Sequence, residues 1–247
     1  MEALVTLVLS GGDVADMNSA YNFLRTPFID AFDDDENNGV VRLAACQSQP
    51  RTLRTHLPVH FIPDDVIAKQ VRTIYVMRDI KDTMVSLYHF CRSYIQLGVF
   101  EEDWDSFFEL VMLGEVPYGH AIDHYLGWCK QHAKLNMLVI SFEDMVSNRE
   151  DTIKKLAVFL GKDLDEEAVR RIAQASSFES MRANDKVNLA PLSMAIDQTI
   201  SPFIRKGIIG DWKQHFTAEQ LQIFDQRFGK QVKELASLTQ KFCYNVL

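Results

Sequence analysis

No stretch of this 247-residue chain approaches the ~20 consecutive apolar residues that a membrane-spanning helix needs. The first residues, MEALVTLVLSGGD, include the acidic Glu2 and lack the basic residues that open a secretory signal peptide. The four cysteines, Cys46, Cys91, Cys129 and Cys243, show neither C-x-x-C spacing nor a metal-ligand pattern with a histidine. We therefore expect a cytoplasmic protein with no membrane association and with four buried or half-buried free thiols.

Positive charge is also scarce, because 26 Lys and Arg residues face 34 Asp and Glu residues and leave a net charge of −8. Proteins that bind nucleic acids carry broad basic faces, so this balance argues against a general nucleic-acid partner. Any anionic ligand must then be held by a local cluster of cations. The length and the 47% apolar content are those of an ordinary globular protein, and we expect residues 1–247 to form one domain.

The order of strand and helix patterns predicts an α/β fold. Residues 71–77 (VRTIYVM) and 135–140 read as buried strands, and a long helical pattern begins at Asp79. Strands that alternate with helices indicate a parallel sheet with helices on its faces. Residues 1–10 are compatible with a helix or a strand. Further helices are predicted over 104–113, 119–132, 148–160, 165–175 and 217–236.

Residues 185–210 fit no regular element. They contain Pro191 and Pro202, and they include the basic sequence Arg205-Lys206-Gly207. Long irregular segments in compact domains are usually functional or disordered. The apolar residues of this segment favour a lid that packs onto another part of the molecule.

Two basic groups are candidates for binding a phosphate. Arg78 stands where a strand gives way to a helix, with Ser86 two turns further on, and free N–H groups at such a junction attract anions. The alternative is a surface arginine paired with an aspartate of the same helix. Arg205, Lys206 and Gly207 offer two cations and a flexible backbone, and the alternative there is a solvated basic turn.

His56 is a candidate general base. It precedes Leu57 and Pro58 near the end of an extended segment, and an imidazole titrates close to working pH. The alternative is a histidine with a structural role. His120 and His124 are spaced as zinc ligands on a helix, but no third ligand is apparent, so we expect no metal site.

Seven segments together resemble the cytosolic sulfotransferases, in that family's order and spacing. The last of them contains R-K-G-x-x-G-D-W, which is highly specific for the family. The resemblance begins at Gly11-Gly12-Asp13 and covers almost the whole chain. The segments are RTHLP (54–58), IYVMRDIKD (74–82), VSLYHF (85–90), WDSF (104–107), GEVPYG (114–119), FEDM (142–145) and SPFIRKGIIGDW (201–212).

The resemblance implies transfer of a sulfuryl group from 3′-phosphoadenosine 5′-phosphosulfate to a hydroxyl or amine of a small, mostly apolar acceptor such as a phenol, an alcohol or a steroid-like molecule. It implies that His56 is the catalytic base, with Arg54 in place of the family's usual lysine beside it. Phe28 resembles an aromatic residue of the acceptor pocket. The residues that resemble contacts to the nucleotide are Arg78, Ser86, Phe142, Ser177, Met181, Arg205, Lys206 and Gly207.

The sequence has no counterpart of the family's first strand and of its phosphate loop, Y-P-K-S-G-T-T-W. By the resemblance, we expect a P-loop-NTPase-like sulfotransferase fold that lacks this strand and loop, with residues 1–10 as the helix that follows them. That loop holds the 5′-phosphosulfate, and losing several preorganised donors lowers turnover by orders of magnitude. The alternative function is therefore an impaired isoform that only binds 3′-phosphoadenosine nucleotides or a protein partner.

The family's dimer motif, K-x-x-x-T-V-x-x-x-E, is altered at two of its four positions. Lys213 and Thr217 are kept, whereas Ala218 and Gln222 replace valine and glutamate. A homodimer is therefore possible, but it would form without the family's usual motif. A kinase-like phosphate-binding domain is a remote third alternative, because the sequence offers no P-loop.

Overall fold

The computed structural model describes residues 1–30, 39–47, 49–95 and 98–243, without the side chains of residues 40, 41 and 241–243. The chain divides into two compact units, and each is described by itself. The first unit comprises residues 1–57 and 150–193, and the second comprises residues 58–149 and 194–247. The expectation of one domain over 1–247 stays a prediction.

The α-helices of the described residues are α1 (Glu2–Leu9), α2 (Val14–Asn18), α3 (Asn22–Arg25), α4 (Gly39–Cys46), α5 (Asp64–Ala68), α6 (Ile80–Ser93), α7 (Trp104–Leu113), α8 (Ala121–Lys130), α9 (Phe142–Ser147), α10 (Arg149–Leu160), α11 (Glu166–Ala175), α12 (Phe178–Arg182) and α13 (Ala218–Cys243). Short 3-10 turns cover Val59–Phe61, His132–Lys134, Ala190–Leu192 and Asp211–Gln214.

Two strands form the sheet within the described residues. β1 (Thr73–Met77) and β2 (Met137–Ser141) pair in parallel, in a register that runs from Thr73↔Met137 to Met77↔Ser141. Both strands are rich in aliphatic side chains, and helices precede and follow each of them. The predicted strands and their parallel arrangement are confirmed, with boundaries shifted by one or two residues.

Aspartate and serine side chains fix where several helices begin. Asp79 caps α6, because its Oδ1 atom accepts hydrogen bonds from the backbone N–H groups of Lys81 (2.9 Å) and Asp82 (3.1 Å). Ser141 caps α9 in the same way, by accepting from the N–H of Asp144 at 2.9 Å. The chain therefore turns from each strand directly into a helix, as the sequence predicts for α6.

The core of the second unit is aromatic. Tyr75 of β1 stacks on Trp128 of α8 with ring centroids 5.2 Å apart, and its hydroxyl lies 2.8 Å from Nδ1 of His124. Trp104 packs against Phe216 at 5.1 Å, and α13 packs along α8. Burying such rings dominates the stability of small cores, so this cluster holds the sheet and α6 in place.

The first unit is built around α1, which packs against α2 and α11. Leu7 and Val8 of α1 are fully buried, as are Ile153, Leu156 and Ile172 of the helices around them. This burial decides the open alternative for residues 1–10 in favour of a helix.

Two further expectations have different outcomes. Cys91 and Cys129 are buried as expected, whereas Cys46, the last residue of α4, is exposed and the expectation for it was wrong. The side chain of Cys243 lies outside the described residues. Within residues 185–210, Ile196 is buried but Met194 is 90% exposed, so the lid stays a prediction.

In the part of the chain that the structure describes, no helix is long and apolar enough to cross a membrane.

Candidate functional site

The carboxyl ends of the two strands bring two predicted site residues together. Arg78 follows β1 and Phe142 follows β2, directly after the paired residues Met77 and Ser141. The guanidinium carbon of Arg78 lies 4.2 Å from the centroid of the Phe142 ring. This is a cation–π contact, and it holds the arginine at the edge of a parallel sheet where phosphate-bearing ligands commonly bind.

Arg78 is mostly buried, with 19% of its side chain exposed. It donates a hydrogen bond from one terminal nitrogen to the carbonyl oxygen of Ile208 (2.9 Å), and it lies 3.6 Å from a carboxylate oxygen of Asp82. The pairing with Asp82 that we considered as an alternative is therefore present, but the arginine is not a surface residue. Its Nε atom is buried and has no hydrogen-bond partner among the described residues.

Asp82 ties the irregular basic segment to α6. Its carboxylate is fully buried and accepts hydrogen bonds from the backbone N–H groups of Gly210 (2.7 Å) and Trp212 (2.9 Å). Sequence reasoning considered Asp82 only as a partner for Arg78. An aspartate on the buried face of a helix pattern was the signal that could have found it, because such a charge is almost never buried unpaired.

Arg205 and Lys206 share one buried carboxylate. Arg205 donates to Oδ2 of Asp211 at 2.5 Å, and Lys206 donates to Oδ1 of the same residue at 2.6 Å. Burial alone would raise the pKa of Asp211, but the hydrogen bonds from Lys206 and Arg205 outweigh burial and hold the pKa below its ordinary value. The side chain of Arg205 is only 16% exposed, so a fully solvated basic turn does not describe this segment. Gly207 has φ +65°, which favours glycine.

α6 also carries Ser86 and His89. Ser86 is exposed and lies one turn after Asp82, on the same helix face. His89 Nε2 lies 3.3 Å from Nε2 of His215, whose Nδ1 lies 3.2 Å from the carbonyl oxygen of Asp211. A carbonyl oxygen only accepts, so Nδ1 of His215 is the donor in its contact with Asp211. Burial first, and then the nearby cations, lower the pKa of His89 to about 4.

In the first unit, His56 stands beside Phe28. The residues Phe28 and Arg54 form a parallel bridge, and the rings of Phe28 and His56 meet edge to face with centroids 4.9 Å apart. Asp30 fixes the backbone here, because its carboxylate accepts from the His56 N–H (2.6 Å) and from the Thr55 hydroxyl (2.5 Å). The imidazole is exposed, so it is accessible to a reacting group. Sequence reasoning did not find Asp30.

Arg54 is engaged on two sides. Its terminal nitrogen lies 2.5 Å from a carboxylate oxygen of Glu2, and its guanidinium carbon lies 5.0 Å from the centroid of the Phe28 ring. The predicted group of Phe28, Arg54 and His56 is thus contiguous, with the charge of Arg54 balanced by Glu2.

Ser177 and Met181 lie one turn apart at α12. The Ser177 hydroxyl caps this helix by accepting from the Ser180 N–H at 3.1 Å, and it donates to the Ser180 hydroxyl at 2.9 Å. For Ser86, Ser177 and Met181, the structure gives the position of each residue at a helix.

The donor set around α6 suits a phosphate. An arginine has five N–H donors, and Arg205 commits one terminal nitrogen to Asp211. The buried Nε of Arg78 also lacks a partner among the described residues. Arginine forks match phosphate oxygens well, so these residues fit the 3′-phosphate of the nucleotide that the sequence resemblance implies.

Comparisons with known proteins agree with this arrangement. Residues 1–236 match the family model described as the sulfotransferase domain. Sulfotransferase 1C2 of Oryctolagus cuniculus is 36% identical over 234 residues, which cover 94% of this chain and 78% of that protein. Sulfotransferase 1A1 of Bos taurus is 35% identical over 230 residues, covering 93% and 77%. Sulfotransferase 1B1 of Mus musculus is 33% identical over 247 residues, covering 100% and 81%.

Solved structures show the same fold. Retinol dehydratase in complex with androsterone and the inactive cofactor PAP superposes with a TM-score of 0.80 at 25% identity, covering 94% of this chain and 76% of that one. Mouse sulfotransferase SULT7A1 complexed with PAP gives a TM-score of 0.68 at 29% identity, covering 82% and 74%. With this agreement of sequence, fold and nucleotide-bound neighbours, the chain belongs to the sulfotransferase family.

Proposed function

We propose that this transferase moves a sulfuryl group from 3′-phosphoadenosine 5′-phosphosulfate to a hydroxyl or amine of a small, mostly apolar acceptor, such as a phenol, an alcohol or a steroid-like molecule. The observation that carries the proposal is the contact of Arg78 with Phe142 at the strand ends. It places a mostly buried guanidinium next to an aromatic face, and these two groups suit the phosphate and the base of a purine nucleotide.

The chain's cations hold the nucleotide by its 3′-phosphate. Arg78 supplies the fork at the strand end, and Ser86 supplies an exposed hydroxyl one turn after Asp82 on α6. Arg205 and Lys206 supply two further cations, and the backbone of Gly207 can approach a ligand closely because glycine has no side chain. Phe142 supplies an apolar surface for the adenine. The resemblance adds Ser177 and Met181 as further contacts to the nucleotide.

His56 serves as the general base and removes the proton from the acceptor's hydroxyl or amine. When bound, 3′-phosphoadenosine 5′-phosphosulfate supplies the sulfuryl group. Asp30 holds the backbone N–H of His56, and Phe28 packs against its ring and forms part of an apolar wall for the acceptor. Arg54 acts beside His56 as a cation that Glu2 holds in place.

The solved relatives support both halves of the proposal. The two nucleotide complexes named above contain PAP, and one of them also contains androsterone, a steroid. A steroid in a relative's structure supports an apolar acceptor for this chain.

Incubation with ³⁵S-labelled donor and a panel of phenols, aliphatic alcohols, steroids and amines tests the proposal. Transfer to at least one acceptor above a blank without protein supports it. If nothing is labelled but calorimetry detects adenosine 3′,5′-bisphosphate binding, the alternative of a nucleotide-binding isoform takes its place. A folded protein that neither transfers nor binds contradicts both functions.

We also propose a cytoplasmic location, from the family relationship. A homodimer stays a proposal too, because Lys213 and Thr217 of the dimer motif are kept while its other two positions differ. Analytical ultracentrifugation distinguishes a monomer from a dimer.

A further inference from the structure

Two adjacent cations rest on opposite oxygens of one buried carboxylate. Arg205 reaches Oδ2 of Asp211 at 2.5 Å, and Lys206 reaches Oδ1 at 2.6 Å, while the Asp211 side chain has no exposed surface. Neighbouring like charges repel, and long cationic side chains lose rotamer freedom when they are ordered. By pairing with both cations before any ligand binds, Asp211 offsets their mutual repulsion and the loss of their rotamer freedom.

The backbone on either side of Asp211 is fixed as well. The N–H groups of Gly210 and Trp212 both donate to Asp82, and the carbonyl oxygen of Ile208 accepts from Arg78. The basic segment is therefore tied to α6 and to the end of β1 through hydrogen bonds to charged groups, which are the stronger class. The backbone that carries the Asp211 carboxylate is therefore itself held in place by hydrogen bonds.

We propose that Asp211 is a positioning residue for anion binding, which holds Arg205 and Lys206 as a ready-made pair of cations for the nucleotide's 3′-phosphate. The inference rests on the proposed function, because that function identifies the anion. Arg78, Arg205 and Lys206 carry three positive charges against the two negative charges of Asp82 and Asp211, which leaves one in excess. A group that is ordered before binding costs less entropy when the ligand arrives.

Simple electrostatics makes the opposite prediction. A carboxylate near a phosphate repels it, so neutralising Asp211 would tighten binding if the charge acted only directly. If Asp211 acts by positioning, its neutralisation weakens binding, because Arg205 and Lys206 lose their fixed geometry. The sign of the change separates the two accounts.

The experiment measures binding of adenosine 3′,5′-bisphosphate and of adenosine 5′-monophosphate by isothermal titration calorimetry. It compares wild type, Asp211→Asn, Asp211→Glu, Arg205→Ala and the double variant of Asp211→Asn with Arg205→Ala. Asp165→Asn is the matched control, because Asp165 also accepts a hydrogen bond through its carboxylate, as the cap of α11, far along the sequence from the basic segment. Circular dichroism checks that each variant is folded.

We expect Asp211→Asn to weaken bisphosphate binding about tenfold, to leave monophosphate binding nearly unchanged, and to add little to Arg205→Ala. Asp211→Glu should recover part of the loss, and Asp165→Asn should show none. Unchanged or tighter bisphosphate binding by folded Asp211→Asn overturns the inference and leaves the proposed function standing. If Asp211→Asn does not fold, the same criterion applies to Asp211→Glu, which should then weaken binding of the bisphosphate alone. A wild-type protein without preference for the bisphosphate overturns the proposed function and the inference with it.

Discussion

The guanidinium carbon of Arg78 lies 4.2 Å from the ring centroid of Phe142, and each residue is the first after a strand of the same parallel pair. The register Met77↔Ser141 makes these two positions neighbours across the strand ends. An arginine that is 19% exposed and faces an aromatic ring is held in one orientation. This relationship carries our proposal that the strand ends form part of a nucleotide site.

Replacing Arg78 with lysine should weaken nucleotide binding although the charge is kept. Lysine has no planar fork to stack on Phe142 and to bind a phosphate through two nitrogens. We expect Arg78→Lys to raise the dissociation constant for adenosine 3′,5′-bisphosphate by about tenfold or more, measured by calorimetry. Arg72→Lys, at an exposed position just before the same strand, is the control and should bind as wild type does. Equal affinities for both variants would count against the site.

Replacing Asp82 with asparagine should destabilise the fold. The side chain is fully buried and accepts from the N–H groups of both Gly210 and Trp212, and an asparagine keeps only one of the two acceptor oxygens. We expect a loss of about 2–3 kcal/mol in the free energy of unfolding, measured by urea denaturation. Asp65→Asn breaks an exposed pair with Lys69 and should cost under about 1 kcal/mol. Similar midpoints for the two variants would show that the buried contacts of Asp82 do not hold the segment.

His89 should make stability depend on pH. Its pKa in the folded state is lowered to about 4, chiefly by burial. Arg205, His215 and Lys206 also lower this pKa, whereas Asp211 raises it. Between about pH 6.5 and pH 4, His89 is therefore protonated in the unfolded chain but neutral in the folded chain. The free energy of unfolding should fall as the pH falls through this window.

The variant His89→Gln tests this sign, because glutamine keeps a donor and does not titrate. Urea denaturation at pH 7 and at pH 5 should show a smaller acid-dependent loss for His89→Gln than for wild type. The exposed control His60→Gln should retain the wild-type loss. An equal pH dependence for His89→Gln and wild type would contradict the prediction.

Asp30 should matter for turnover more than for nucleotide binding. Its carboxylate accepts from the His56 N–H at 2.6 Å and from the Thr55 hydroxyl, so its removal releases the segment that carries the proposed base. Small displacements of a catalytic group cost up to about 100-fold in rate. We expect Asp30→Ala to lower kcat by about 10- to 100-fold and to leave the affinity for adenosine 3′,5′-bisphosphate unchanged. Asp64→Ala, at the start of α5, is the matched control.

The periodicity of the sequence was sufficient for the main elements. Two apolar strands and the amphipathic helices appear where their patterns indicate, because side-chain burial decides those segments locally. Helix α9 was not predicted, since its six residues are too few for a periodic signal and depend on the Ser141 cap. α13 runs to Cys243, beyond the predicted end at residue 236.

The candidate site was only partly predictable. Arg78, Arg205 and Lys206 stand out as cations beside a glycine or a strand end. Asp82 has only the weak signal of an aspartate on the buried face of a helix pattern, because its partners lie 128 to 130 residues away. The burial of Asp211 arises only in the folded structure. Long-range pairing of this kind has no local pattern.

The most direct test of the account is the rate of labelled sulfuryl transfer from 3′-phosphoadenosine 5′-phosphosulfate to the best acceptor of the panel. Wild type is compared with His56→Ala and with His60→Ala, a nearby exposed histidine to which no catalytic role is given. We predict measurable transfer by wild type and by His60→Ala, and a loss of at least about 100-fold for His56→Ala with nucleotide affinity retained. Transfer by His56→Ala at the wild-type rate would contradict the account.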